Sequence, residues 1–222
     1  MDQNFILVET VPLEFDLESL GCRLRIRPGQ TKFMDRLSRL AEEAVRVARP
    51  KAVARLCGLT ILDEENVQVG EVTFSSPLLR QKMDGLGRAF PYLASEGTEL
   101  ADWSLSLSSS LEQVFASALR EVAVQQAENL LERTLLERYG IAQVSAMNPG
   151  SLKVWSLEEQ VPLFELLAPL PEKLGVTLLP SLMMRPEYSV SGVFFQTDSK
   201  FYNCQLCPKK ECPNRRTPSL VT

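Results

Sequence analysis

Two stretches of the chain carry apolar residues at helical spacing. Over residues 31–47, Phe33, Leu37, Leu40, Ala41, Ala44 and Val47 fall on one side of a 3.6-residue period, and Arg36, Arg39, Glu42, Glu43 and Arg46 take the other. That division predicts an amphipathic helix, opened after Pro28-Gly29 with Thr31 as N-cap and ended at Pro50, because the residue before a proline is pushed out of helical backbone. The longer stretch covers residues 110–138, where Leu111, Val114, Phe115, Ala118, Val122, Leu130, Leu131 and Leu135 form the apolar stripe and Gly140 is placed as the stop. A stripe of this kind serves a core, and no chemistry is assigned to it.

Elsewhere the period shortens. Residues 5–26 alternate loosely, with Phe5, Leu7 and Val11 followed by Cys22, Leu24 and Ile26, and read as one or two strands broken by acidic residues. Residues 52–74 hold two apolar runs around Asp63-Glu64-Glu65-Asn66, a hairpin with Val67, Val69 and Val72 in its second arm. Ser75-Ser76-Pro77 opens a short helix, residues 90–94 form a buried strand, and a helix lies near Glu99 to Trp103. The last third is proline-rich: a turn at Asn148-Pro149-Gly150-Ser151, a helix through Leu163, Phe164 and Leu167, then strands at 176–179 and 189–195. Ser156 and Glu159 have the spacing of a capping box, but Pro162 lacks a backbone donor, so that helix starts later or is kinked. Hairpins and helices without regular strand–helix alternation, internal repeats or low-complexity tracts give an α+β class, an antiparallel sheet with packed helices.

Composition then narrows the chemistry. The 222 residues are 45% hydrophobic, ample for a core, and a formal charge of −4 supplies no basic face for phosphate, so nucleic acid is not an expected partner. No apolar run approaches the ~20 residues of a bilayer span, and the amino terminus has no cationic region leading into an apolar one. A cytoplasmic protein, with no membrane partner, is expected. The sequence has no histidine, which removes a Ser-His-Asp triad, an imidazole zinc ligand and a histidine general base.

The sharpest chemical signal lies near the carboxy terminus. Cys204, Cys207 and Cys212 fall within thirteen residues ending at Arg216, with Pro208 and Pro213 stiffening the turns. A two-residue gap lets two sulfurs face one metal or cluster, so the three are candidate ligands of an iron–sulfur cluster or a zinc ion, with a fourth ligand from Cys22, Cys57, a carboxylate or a second chain. Unligated thiols, or a redox pair of Cys204 and Cys207, are the other readings, while Cys22 and Cys57 sit in apolar sequence and read as buried residues. The chain is expected to divide at this point, into a domain over residues 1–202 and a cysteine-bearing tail over 203–222.

Immediately upstream, Ser181-Leu-Met-Met-Arg-Pro-Glu-Tyr-Ser-Val-Ser-Gly-Val-Phe-Phe195, followed by Asp198-Ser-Lys-Phe-Tyr202, resembles the end of the activation domain of cobalamin-dependent methionine synthase. That family carries a Met-x-Pro-x-x-Ser-Val-Ser-Gly stretch, an aromatic strand and an Asp-Ser-Lys-aromatic-Tyr turn. Asn148-Pro149-Gly150-Ser151, Trp155 and the helix through Leu167 fall where the family has its Arg-x-x-Pro-Gly-Tyr element and next helix. The resemblance covers the last half of the chain well, and the first half by general pattern. Short stand-alone relatives with Asn-Pro-Gly-Ser and a terminal Cys-x-x-Cys-x4-Cys are the nearer likeness.

The resemblance implies an activation-domain fold and a role beside a corrinoid methyltransferase, most of all methionine synthase. In the family the domain binds S-adenosylmethionine and presents its methyl group to a cobalamin held by a neighbouring domain, restoring cobalt that has slipped to an inactive oxidation state. Pro149, Gly150, Ser189, Ser191, Gly192 and Tyr202 would then shape the face that meets ligand or cobalamin, and a low-potential cluster on the cysteines would deliver an electron, which zinc cannot. Plain alternatives stand beside each: a strand edge needing small residues for Ser189, Ser191 and Gly192, core packing for Tyr202, and an ordinary turn for Pro149-Gly150. The family's ligand-pairing arginine falls at Ala146 or Met147 and its tyrosine after Pro-Gly at Ser151. Its helix carboxylate falls near Val124, with Glu121 and Glu128 one turn either side. These departures leave a second reading, a catalytically inert, metal-stapled module that docks on a corrinoid protein, and a third, a thiol redox sensor.

Overall fold

The first strand, β1 (Phe5–Val8), alternates half-buried and buried positions, as a strand with one covered face must. The expected strand over the rest of residues 5–26 is instead helix α1 (Leu17–Arg23). Asp16 decides the matter, because its side chain accepts the N–H groups of Glu18 at 3.1 Å and Ser19 at 3.0 Å. Leu17, Leu20 and Leu24 then join the core beside α2 (Thr31–Val47). In the computed structural model, which describes residues 4–209 and 217–220, Thr31 is the first helical residue and Gln30 takes the capping position without a side-chain bond.

Past Pro50 come β2 (Lys51–Arg55), β3 (Cys57–Ile61), β4 (Asn66–Val69) and β5 (Val72–Ser75). The expected hairpin is present as β3 and β4, but of the three valines expected in its second arm only Val67 and Val69 lie there, while Val72 opens β5 after a turn at Gly70-Glu71 and pairs back on Val69. Asp63 closes the β3–β4 turn by accepting the N–H groups of Glu65 and Asn66, each at 2.8 Å. Ser76 caps α3 (Pro77–Lys82) through the N–H of Leu79 at 3.2 Å. Then follow β6 (Arg88–Ser95), α4 (Thr98–Ser106) and the 30-residue α5 (Ser110–Tyr139), which ends at Gly140 in the left-handed region with φ 60°. β7 (Val144–Met147) was not evident from the pattern, being four residues long. The proposed capping box makes no cap bond; a 3-10 turn at Leu157–Glu159 intervenes, and α6 (Gln160–Leu167) starts there with Pro162 in its first turn, where a missing donor does no harm. α7 (Leu170–Lys173), the short pair β8 (Thr177–Leu178) and β9 (Met184–Arg185), and β10 (Ser189–Gln196) complete the order.

β6 organises the eight-stranded sheet. A strand has two edges, and β10 fills one of them antiparallel along six registered pairs from Ser189↔Ser95 to Phe194↔Phe90. β2 and β3 therefore share the other edge end to end, β2 beside residues 92–95 and β3 beside residues 88–89. β1 extends the sheet from β2, β4 and β5 extend it from β3, and β7 flanks β10.

Alternation along the strands gives each face its own core. On one face Ala52, Ala54, Phe90, Tyr92 and Phe194 pack against Ala127, Leu131 and Leu135 of α5. On the other, Val53, Leu93, Val193 and Phe195 pack against Trp155 and Leu163, Leu166 and Leu167. At 1.5 Å per residue α5 is about 45 Å long, more than the sheet can cover, and its first half packs instead on α1, α2 and α4. Arg120, a third of the way along α5, holds the fully buried Glu96 with two hydrogen bonds of 2.6 and 2.7 Å, pinning the helix to the end of β6. Among the described residues no helix is long and apolar enough to cross a membrane.

Candidate functional site

α5 and the loop after β10 face each other across a cleft of about 190 Å³. Glu128 and Glu132 reach it from α5; being four residues apart they share one helix face. Ala146 and Asn148 come from β7 and the residue after it, and Lys200, Tyr202, Asn203 and Cys204 come from the returning loop. These groups are up to 76 positions apart in sequence, from Glu128 to Cys204.

A side-chain relay fixes the floor. Asn203 Nδ2 donates to Asn148 Oδ1 at 3.0 Å. Asn148 Nδ2 donates to the Ser191 carbonyl at 2.9 Å and to Tyr92 Oη at 2.8 Å. Tyr92 in turn donates to Glu128 Oε1 at 2.7 Å. Tyr92 is fully buried and stacked on Phe194 at 3.9 Å between ring centres, so the phenol has little freedom and Glu128 is held through it. Asn203 Oδ1 is buried with no hydrogen-bond partner among the described residues, an acceptor that a ligand donor would satisfy.

Gly192 makes this relay possible. A Cβ there would lie 2.4 Å from the Met147 carbonyl oxygen, 2.6 Å from Asn148 Nδ2 and 2.9 Å from Tyr92 Cε1. Pro149 and Gly150 occupy the corners of a turn in which Ser151 N–H donates to the Asn148 carbonyl, and Gly150 has φ 76°, the left-handed backbone this turn requires. They set Asn148 in place but do not line the cleft.

Ser189 and Ser191 point to the opposite sheet face. Ser191 Oγ donates to Gln160 Oε1 at 2.9 Å, and Ser189 Oγ lies 3.0 Å from Ser95 Oγ. Of the six residues the sequence put at the ligand face, Tyr202 lines the cleft, Gly192, Pro149 and Gly150 shape its floor, and the two serines hold the sheet to α6 and β6. Of the α5 positions 121, 124 and 128, Glu128 is the one that reaches the cleft, beside Glu132. Val124 packs against the core, and Glu121 is paired with Arg23. Ala146, not the buried Met147, is the β7 residue that faces the cleft.

Cys204 borders the same cleft and Cys207 lies one turn on, both partly buried; Cys212 lies outside the described residues. Among the described residues no group of three or more His, Cys, Asp or Glu side chains is arranged to hold a metal. Cys57 is buried as expected, with desolvation pushing its thiol up to about 11. Cys22, expected to be buried, is exposed, because α1 turns it away from the core that Leu20 enters.

No protein-family model matches the chain, and no curated sequence does. Among solved structures, the MetH reactivation domain bound to AdoHcy matches with a TM-score of 0.61 at 16% identity, over 89% of this chain and 80% of that one. The two share a fold. The α+β class, the antiparallel sheet and the packed helices expected from the sequence are those of the reactivation domain.

Proposed function

We propose that the chain is an activation-domain-like component of a cobalamin-dependent methyltransferase system, foremost methionine synthase, and that its cleft holds S-adenosylmethionine and the corresponding AdoHcy product. The observation that carries this reading is the cleft itself: two α5 carboxylates, an aromatic wall at Tyr202 and a buried Asn203 acceptor. A cationic sulfonium nucleoside with an amino group would satisfy that set. The solved neighbour of the same fold binds AdoHcy, which supports the same ligand class here.

The partner would be a cobalamin-binding module, of methionine synthase or another corrinoid protein. With no histidine in the sequence, any imidazole ligand to cobalt would come from that partner. The chain would dock over the corrin and offer the sulfonium methyl to reduced cobalt, leaving the thioether in the cleft. Cys204, Cys207 and Cys212, by their spacing in the sequence, would hold an iron–sulfur cluster or zinc, and a cluster would supply the electron that reduces cobalt.

Isothermal titration with AdoHcy and S-adenosylmethionine tests the cleft, and co-elution with a cobalamin-loaded module tests the docking. Binding of either nucleoside supports the assignment. Docking that is unchanged by both nucleosides, together with no heat of binding, would leave only an inert docking module. Iron with matching sulfide after anaerobic purification would favour electron delivery, whereas zinc would make the tail a staple.

A further inference from the structure

The Lys200–Glu132 ion pair stands where two hollows meet. It lines the 190 Å³ cleft, and it also lines an adjoining groove of about 890 Å³ walled by α5 and by Val11, Glu14 and Phe15 of the segment before α1. The cleft alone falls below the roughly 300–1,000 Å³ of small-molecule sites, and the groove falls inside that range. A ligand of nucleoside size therefore spans both and passes this pair.

Charge decides what can pass. Lys200 is the one cation among the described residues lining the cleft, and Glu128 and Glu132 are its acids. Glu128 already accepts from Tyr92, whereas Glu132 and Lys200 face each other, Nζ to Oε1, at 2.5 Å. Their side chains are 20% and 31% exposed, so the pair is wet enough to be weak, and each head group remains within reach of a ligand.

We infer that this ion pair is an exchange clamp for an α-amino-acid head group. The ligand carboxylate takes Lys200 and the ligand ammonium takes Glu132, so one salt bridge opens and two charge-assisted contacts form with no net change in buried charge. The clamp selects nucleosides that carry a free amino acid over those that end in a plain thioether. It rests on the cleft assignment proposed above.

The test is titration calorimetry of the whole chain with AdoHcy and with 5′-methylthioadenosine, which keeps the nucleoside and thioether but lacks the amino acid. AdoHcy is expected to bind at least about tenfold more tightly, the size of one charge-assisted hydrogen bond. Lys200→Met and Glu132→Gln should bring AdoHcy down to the level of 5′-methylthioadenosine while changing the latter by less than about twofold, and Lys200→Arg should restore most of the preference. Thermal melts establish that each variant is folded. Equal affinity for the two ligands, or equal weakening of both by Lys200→Met, overturns the clamp and leaves the cleft assignment standing. No binding of either ligand by the unaltered chain overturns both.

Discussion

Gly192→Ala isolates a steric demand from a conformational one. Gly192 is not among the glycines with positive φ, so an alanine there meets no backbone penalty, and in an open strand position it would stabilise by about 0.4–1 kcal/mol by narrowing the unfolded ensemble. The site is not open. The new Cβ would sit 2.4 Å from the Met147 carbonyl oxygen, and reaching an ordinary contact of about 3.4 Å means moving β7 away from β10 by about 1 Å. β7 is held there by registered pairing from Val193↔Met147 to Gln196↔Val144, and Tyr92 and Asn148 close off the other directions of relief. Overpacking of a tight interior typically costs about 1–3 kcal/mol, and with three contacts under 3.0 Å the upper end applies. For a chain of this size about 3 kcal/mol lowers Tm by roughly 6–12 °C. Urea and thermal unfolding of Gly192→Ala should show that loss, and Gly58→Ala in β3, where a Cβ meets nothing within 4 Å, should show none or a small gain. A Gly192→Ala variant within about 0.5 kcal/mol of the parent, or one matched by Gly58→Ala, would refute the packing argument.

Other expectations follow from buried charge and thiols. Arg120→Met leaves Glu96 buried without its partner and should cost about 3–5 kcal/mol in urea unfolding, whereas Glu96→Leu combined with Arg120→Met should recover much of it; an additive double mutant would count against a coupled pair. Glu159 accepts the Ser75 N–H but leaves its Oε2 buried without a partner among the described residues, and burial holds its carboxyl above its ordinary value. Its contribution is therefore full below the ordinary glutamate pKa and lost as pH rises through the raised folded value, so Glu159→Gln should raise Tm at pH 7 relative to the parent and lose that advantage near pH 4. In native protein at pH 8 a thiol reagent should label the exposed Cys22 and spare Cys57, whose thiol ionises near 11; rapid native labelling of Cys57, read by peptide mass, would contradict its burial.

Long elements were legible because their signals are local and repeated. α2 and α5 follow from seventeen and thirty residues of helical period, and the hairpin of β3 and β4 from valines around an Asp-Glu-Glu-Asn turn. Short elements were not. α1 has seven residues and hides behind an accidental alternation that a single Asp16 cap outweighs, and β7 has only four. β7 becomes a strand because β10 offers it a partner, a fact outside its own sequence.

The site divides the same way. Pro149-Gly150, the small residues of β10 and Tyr202 could be picked out along the chain because they fall in short motifs that resemble the activation domain's, and such motifs are runs of neighbouring residues. Which of them faces a ligand could not, since adjacent strand residues point to opposite faces and only packing says which face holds the cleft. Thus Ser191 bonds α6 while Gly192 lies beneath Asn148. Likewise Glu121, Val124 and Glu128 lie one after another along α5, yet Arg23 takes the first, the core takes the second and Tyr92 turns the third toward the cleft. The sequence by itself determined the period of each helix, the turns and the supply of charged and thiol groups. Tertiary structure alone decided that Glu132 meets Lys200 while Glu128 takes Tyr92, because that depends on how a rigid helix is rotated against a sheet whose strands come from distant parts of the chain.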